Sequence, residues 1–472
     1  MWRSALQENP NNCTNAERRC GPDSVCNSLT EICEPRLGLD SLAPSRGPSS
    51  GGPQLSISGR GFLPGTQLRM GQWGAPIEPL EIVSEQRLSF SLPAAPGVCG
   101  WAPVEVARPG IESARHEELF SYFLSDLRFS AGQPVGTSAS NFTTYLVAQD
   151  LNGDGLADVA ATAFGQTGID IYLGSADGSL RSLPRVPTDA GSYHLAIADV
   201  DGNGIPDIAV ANYTANTASI LLGTGGGSFQ SPLNLPNPGI FTVHLFDADS
   251  DGLLDLVVLT NSGKVRLWKG DGKGGFAFAS ENSIDIDAML ALSADFDADG
   301  RKDLVGSSKN GPALMLYRNL GDGTFLNVSR NQTAANAIHC LAVDVNQDGR
   351  LDLIAAEYKA AQASVFLGHG DGTFEPRRAY AALPGSRMLA SADFNCDGFP
   401  DIAVSRLGAT QILPLIGRGD GTFDPAPQLT LAAGTSALAV AAADVDHDGR
   451  PDLLVGVDGT TPAVYSLLNA SR

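Results

Sequence analysis

Seven nine-residue segments carry oxygen donors at fixed spacing, in the pattern Asp-x-(Asp/Asn)-x-(Asp/Asn)-Gly-x-x-Asp. The side-chain donors of the first four copies are Asp150, Asn152, Asp154 and Asp158; Asp199, Asp201, Asn203 and Asp207; Asp247, Asp249, Asp251 and Asp255; and Asp295, Asp297, Asp299 and Asp303. The last three copies supply Asp344, Asn346, Asp348 and Asp352; Asp393, Asn395, Asp397 and Asp401; and Asp444, Asp446, Asp448 and Asp452. Positions 1 and 9 are Asp in every copy, and position 6 is always Gly. No copy has lost a donor type.

Oxygen-rich sites with several carboxylates suit hard cations, and flexible sites of six to eight oxygens suit Ca²⁺ over Mg²⁺. Positions 1, 3 and 5 can point toward one ion. Glycine at position 6 lets the chain turn sharply. Position 7 can offer its carbonyl, and Asp at position 9 can bind through both oxygens. The pattern is a shortened relative of the helical Ca²⁺ loop, here placed between strands. About seven structural Ca²⁺ ions are expected. The alternative is that Asp and Gly only make turns. The charge distribution argues for metal: the loops hold 24 of the 52 acidic residues, and setting these aside leaves 28 acids against 31 bases.

The loops begin 49, 48, 48, 49, 49 and 51 residues apart. A period of this size means a propeller or another repeat array. Each repeat enters its loop on a short apolar stretch, as in His194–Ala198, and leaves on another, as in Ile208–Ala211. A third stretch, such as Ser219–Leu222, precedes a glycine loop and a weaker fourth one. Four short strands make one blade, so seven repeats make a seven-bladed ring. The seventh repeat stops after its third strand, at Tyr465–Asn469. Residues near 127–135 resemble the missing fourth strand and are expected to close the ring.

The repeats resemble the FG-GAP/VCBS repeats of integrin α-subunit propellers and of many bacterial surface proteins. The resemblance covers residues 126–472. It implies a seven-bladed β-propeller with its Ca²⁺ loops on one face and ligand surfaces on the opposite face or the blade edges. The chain lacks the membrane-anchored leg of an integrin, so integrin function does not follow.

Residues 1–37 form a Cys-rich segment. Cys13, Cys20, Cys26 and Cys33 fall within 21 residues and read as two disulfides of open connectivity. Residues 38–125 alternate apolar and polar positions between Pro/Gly turns, as in Leu55-Ser-Ile57 and Val104-Glu-Val106, which reads as a β-sandwich. This segment resembles the IPT/TIG immunoglobulin-like domain, a spacer or interaction module. The whole chain is therefore expected to be all-β. Cys99, Cys340 and Cys396 are expected to be free thiols.

Other signals carry less. Gly47-Pro-Ser-Ser-Gly51 matches a nucleophile-elbow string but lies in a turn of the sandwich, not between strand and helix. Arg418-Gly-Asp420 falls inside a repeated glycine loop. His194 and His339 both stand five residues before their acidic loops, on inner strands that line the channel, with Tyr193 and Arg387 as neighbours. These four could contact a ligand on the face away from the acidic loops. Blade-to-blade packing explains them equally well.

With a net charge of −21, nucleic acid is a poor partner. No apolar run is long enough for a membrane span, and the start of the chain shows no signal peptide. The expected function is adhesion to, or recognition of, a carbohydrate or protein ligand by a monomeric extracellular or surface-attached scaffold. The alternatives are a spacer without a ligand and a polysaccharide-acting lyase or hydrolase. The repeats are too alike to mark one asymmetric catalytic site, so the chain is not expected to be an enzyme.

Overall fold

The computed structural model describes residues 24–27 and 33–471, less 72–75, 96–98, 125–126, 132–134, 137–142, 309, 383, 432–434 and 460–462. The chain is all-β, and the described residues contain no helix. It divides into two units: residues 1–128 with Asn395–Gly398 and Ser471–Arg472, and the rest.

In the first unit two four-stranded sheets form the immunoglobulin-like sandwich. One runs Gly38–Ala43, Gln54–Arg60, Arg87–Ser91, Leu80–Ser84; the other runs Arg46–Pro48, Ile111–Phe123, Gly100–Arg108, Gln67–Met70. The period-two alternation has its physical reason here. Leu55 and Ile57, Leu88 and Phe90, Val104 and Val106, and Phe120 and Tyr122 all point into one core. Cys26 and Cys33 are each disulfide-bonded and face each other across a short hairpin. Cys13 and Cys20 lie outside the described residues.

Two of the three thiols expected to be free are not. Cys99 and Cys396 form a disulfide within this unit, with Cα atoms 5.4 Å apart and 297 residues between them in sequence. Leu124 N–H donates to Asn395 O at 2.6 Å, and Arg46 donates to Asp397 O. Such a pairing leaves no local signature, because only the fold brings the cysteines within reach. Cys340 keeps its thiol, buried on an inner strand.

The second unit holds seven antiparallel sheets, one per acidic loop, each ordered from inner to outer strand. The inner strands are Thr143–Gln149, Ser192–Ala198, Ile240–Phe246, Asp287–Ala294, Ala337–Val343, Ser386–Ala392 and Thr435–Ala443. Each touches the next, and the last touches the first, so the ring is closed. The second strands are the most buried. Asp158–Ala163, Asp207–Asn212, Asp255–Thr260 and Asp352–Glu357 are covered at every residue.

Each apolar cluster draws on two adjacent blades. Ile171 and Leu173 of the first blade pack with Leu195, Ile208 and Val210 of the second. Ile220 of the second packs with Val243 and Val258 of the third. A single blade cannot bury its own faces, so neighbouring blades must fold together. The ring closes as the sequence implies: Phe129–Ala131 and Val135–Gly136 pair antiparallel with Ala463–Asn469, the third strand of the seventh blade.

A proline at Ser130, which is opposite Leu468, cannot donate to this ladder. Ser130→Pro is expected to lower the unfolding free energy by about 2 kcal/mol, read from urea titrations. An unchanged midpoint would show that the closing strand contributes little.

Candidate metal centres and recognition face

Each acidic loop joins an inner strand to the second strand of its blade, so all seven lie at the same end of their inner strands. The turn is built by backbone conformation. Position 6 has positive φ in every copy, from Gly204 at 81° to Gly300 at 87°. Position 4 is also left-handed, although only Gly153 and Gly202 are glycine there. Ser250, Ala298, Gln347, Cys396 and His447 hold it at φ of 56–63°. Non-glycine residues adopt this conformation only where surrounding bonds impose it.

The position 1 carboxylate supplies one such bond. Its Oδ2 accepts the position 6 N–H from Gly155, Gly204, Gly252, Gly300, Gly349 and Gly449 at 2.7–3.0 Å. Position 5 accepts the N–H of position 7, as Asp251 does from Leu253 at 2.9 Å.

Position 9 is the most constrained. Asp158, Asp207, Asp255, Asp303, Asp352, Asp401 and Asp452 are all fully buried. In each, Oδ2 accepts the position 2 N–H, from Leu151, Val200, Ala248, Phe296, Val345, Phe394 and Val445, at 2.8–3.1 Å. Oδ1 accepts an N–H from the end of the third strand, at Gly174, Gly223, Gly270, Asn319, Gly368, Gly417 and Asn469, at 2.7–3.0 Å. This carboxylate therefore clamps three parts of its blade. Each oxygen keeps a further lone pair for a cation. Burial pushes Asp303 and Asp452 up to about 6, although the backbone donors oppose it. Such a group favours a nearby positive charge.

The donor sets fit a hard dication. Ligand oxygens of Asp199, Asp201 and Asp207 lie within 4.8 Å of one another, as do those of Asp247, Asp249 and Asp251, of Asp295, Asp297 and Asp299, and of Asp444, Asp446 and Asp452. Oδ1 of Asp249 and of Asp297 is buried without a hydrogen-bond partner among the described residues. Nearby cations offset part of the charge: Lys269 pairs with Asp249, Arg318 with Asp297, Arg301 with Asp299 and Arg450 with Asp448. In the first, fifth and sixth loops Asn152, Asn346 and Asn395 donate to their position 5 carboxylates, Asp154, Asp348 and Asp397, at 2.9–3.1 Å.

The opposite ends of the inner strands carry aromatic residues. A bulge between Ser192 and His194 makes Tyr193 the extra residue of its strand. Its ring meets Phe241 at 4.6 Å; Phe241 meets Tyr213 at 5.1 Å, and Phe164 lies 6.2 Å from Tyr193. Arg387 is half-buried, with its guanidinium within electrostatic reach of Tyr193, Tyr358 and Asp458. His194 and His339 turn away from this cluster and line a cavity in the channel. Sequence reasoning missed Phe164, Tyr213 and Phe241. Each stands at the non-acidic end of a strand, so the strand directions would have found them. The Arg418-Gly-Asp420 tripeptide is a turn, with Asp420 Oδ1 accepting from Thr422 N at 2.9 Å.

Five stretches, residues 150–210, 199–258, 295–355, 344–404 and 407–455, match the FG-GAP-like repeat. Together they span all seven acidic loops and more than half of the chain. The chain belongs to the FG-GAP-like repeat family. Residues 39–122 match the IPT/TIG domain. Among solved structures, two of BBS1N in complex with ARL6DN resemble the chain. The lead-soaked one has a TM-score of 0.52 at 12% identity, covering 72% of this chain and 98% of that one. The mercury-soaked one has a TM-score of 0.51 at 12% identity, covering 73% and 99%. At this identity the likeness speaks for the fold alone. A structural genomics protein of unknown function from Bacteroides thetaiotaomicron aligns at a TM-score of 0.40 and 10% identity, over 92% of this chain and 98% of that one. No curated protein matches the chain.

Asp352→Ala strands the N–H groups of Val345 and Gly368. It is expected to cost about 3 kcal/mol or more of unfolding free energy in excess EDTA. A loss below about 1 kcal/mol would mean that the clamp does not hold the blade.

Proposed function

We propose that this FG-GAP-like repeat protein is an extracellular or surface-attached recognition scaffold, stiffened by about seven structural Ca²⁺ ions, that binds a carbohydrate or protein ligand on its aromatic face. The observation that carries this reading is the same acidic donor set at the same end of all seven blades. One such loop is a turn; seven, with buried oxygens in two of them that lack partners among the described residues, favour a cation. Extracellular Ca²⁺ modules bind at roughly 10⁻⁴–10⁻³ M, which matches an exported protein. The disulfides agree with an oxidising compartment. Among the described residues, no helix is long and apolar enough to cross a membrane.

Positions 1, 3 and 5 would hold each ion with their side-chain oxygens, and position 9 from its buried clamp. The ion would supply charge compensation for carboxylates that otherwise repel. With free Ca²⁺ at about ten times Kd, each site adds about 1.4 kcal/mol, and seven add roughly 10 kcal/mol. The blades would thereby hold the aromatic face rigid. Tyr193, Tyr213, Phe241 and Phe164 offer flat apolar surfaces with polar tips, suited to sugar rings or to a peptide. Arg387 would add a hydrogen-bonding cation at the edge.

About seven Ca²⁺ per chain are expected by mass spectrometry, with a large EGTA-induced fall in Tm. Asp348→Ala should change stability by less than about 1 kcal/mol in EGTA and lower it by about 1.4 kcal/mol in excess Ca²⁺. Little bound Ca²⁺ and no EGTA effect would overturn the metal reading. On glycan and peptide arrays, Tyr193→Ala is expected to weaken a specific signal at least tenfold. No signal on either array would favour a spacer.

A further inference from the structure

The channel holds a cavity of about 380 Å³, lined by the inner strands of the first five blades and by Lys302. A pocket of this size suits a small ligand. Its chemistry is opposite to that of the protein around it. The chain carries −21, yet no Asp or Glu lines this cavity among the described residues. Its polar lining comprises His194, His244, His339, Tyr145, Ser293 and Lys302, with the Cys340 thiol beside them.

Two of the imidazoles are poised as donors. His194 Nδ1 accepts the N–H of Val243 at 3.5 Å, and His339 Nδ1 accepts that of Leu389 at 3.2 Å. A backbone N–H can only donate, so each neutral ring carries its own proton on Nε2. Those Nε2 atoms cannot ligate a metal in that tautomer, but they can donate to an anion. Burial pushes His244 and His339 down to about 4 and His194 well below the ordinary value, so all three are neutral at pH 7. The His194 and His244 rings lie 5.7 Å apart.

His244 gives the site its strongest pointer. It is 6% exposed, and its Nε2 has no hydrogen-bond partner among the described residues. A buried polar atom without a partner costs about 1–3 kcal/mol unless something else satisfies it. The position is also an outlier of the repeat. Ala196 and Leu292 stand three residues before their loops, where His244 stands before Asp247. Lys302 makes no ion pair among the described residues.

We propose that this cavity binds a small organic carboxylate, held by the Nε2–H groups of His194 and His339, by the unpartnered His244 Nε2, which takes the proton of its neutral ring when it meets the anion, and by the Lys302 ammonium. The site is separate from the aromatic face, so it stands whether or not that face binds a ligand. Donor-lined, carboxylate-free surroundings select negative charge over an uncharged ligand of the same shape.

The test uses the full Ca²⁺-loaded chain labelled with ¹⁵N-histidine, titrated with succinate, D-galacturonate and uncharged D-galactose. At least one carboxylate is expected to shift the imidazole signals of His194, His244 and His339. Those of His116, His369 and His447, which do not line the cavity, should hold still. Galactose should shift none. His244→Leu and the exposed Lys302→Gln are each expected to weaken binding at least tenfold, with Tm of the lysine variant unchanged. The proposal is overturned if neither carboxylate shifts the three signals at concentrations up to about 10 mM. It is equally overturned if galactose shifts them as far, if Lys302→Gln binds as tightly as the parent, or if Zn²⁺ occupies the site instead.

Discussion

Every blade is held by a buried carboxylate that accepts two main-chain N–H groups. One comes from the acidic loop and the other from the end of the third strand. A charged acceptor bonds N–H groups more strongly than a carbonyl does, and burial removes competing water. The same burial penalises the charge and pushes Asp303 and Asp452 up to about 6. Loop geometry, strand spacing and the placement of the remaining carboxylates all follow from this clamp.

The clamp works within a blade, whereas apolar packing works between blades. Ile171, Leu195 and Ile208 come from two blades and meet in one cluster. Closure by Phe129–Ala131 then covers the outer edge of the seventh blade's third strand. The architecture is thus a chain of nearest-neighbour contacts bent into a circle, and its stability is shared among repeats that are each insufficient alone.

Much of this was legible in the sequence because it is repeated. Seven loops spaced about 49 residues apart specify blade number, and donor types at fixed positions specify the loops. The double role of position 9 was not legible. Its partners are backbone N–H groups, which every residue other than proline possesses. The Cys99–Cys396 pair was hidden by 297 intervening residues. His194 and His339 could be aligned by their distance from the loops, but the bulge that separates Tyr193 from His194 in direction could not be foreseen. His244 breaks the repeat rather than following it, so a search for regularity passes over it.

The left-handed fourth position has a consequence for how these loops can change. Glycine, serine, alanine, glutamine, cysteine and histidine all occur there at similar φ. The surrounding positions 3, 5 and 6 admit two residue types at most. The fourth residue is therefore one place where a loop can take on new chemistry while its donor positions stay fixed. Cys396 occupies that place in the sixth loop and bonds to Cys99, while Asp393, Asn395, Asp397 and Asp401 keep the donor types of the other copies. One of seven repeated positions thus carries a covalent cross-link without the loss of a donor residue.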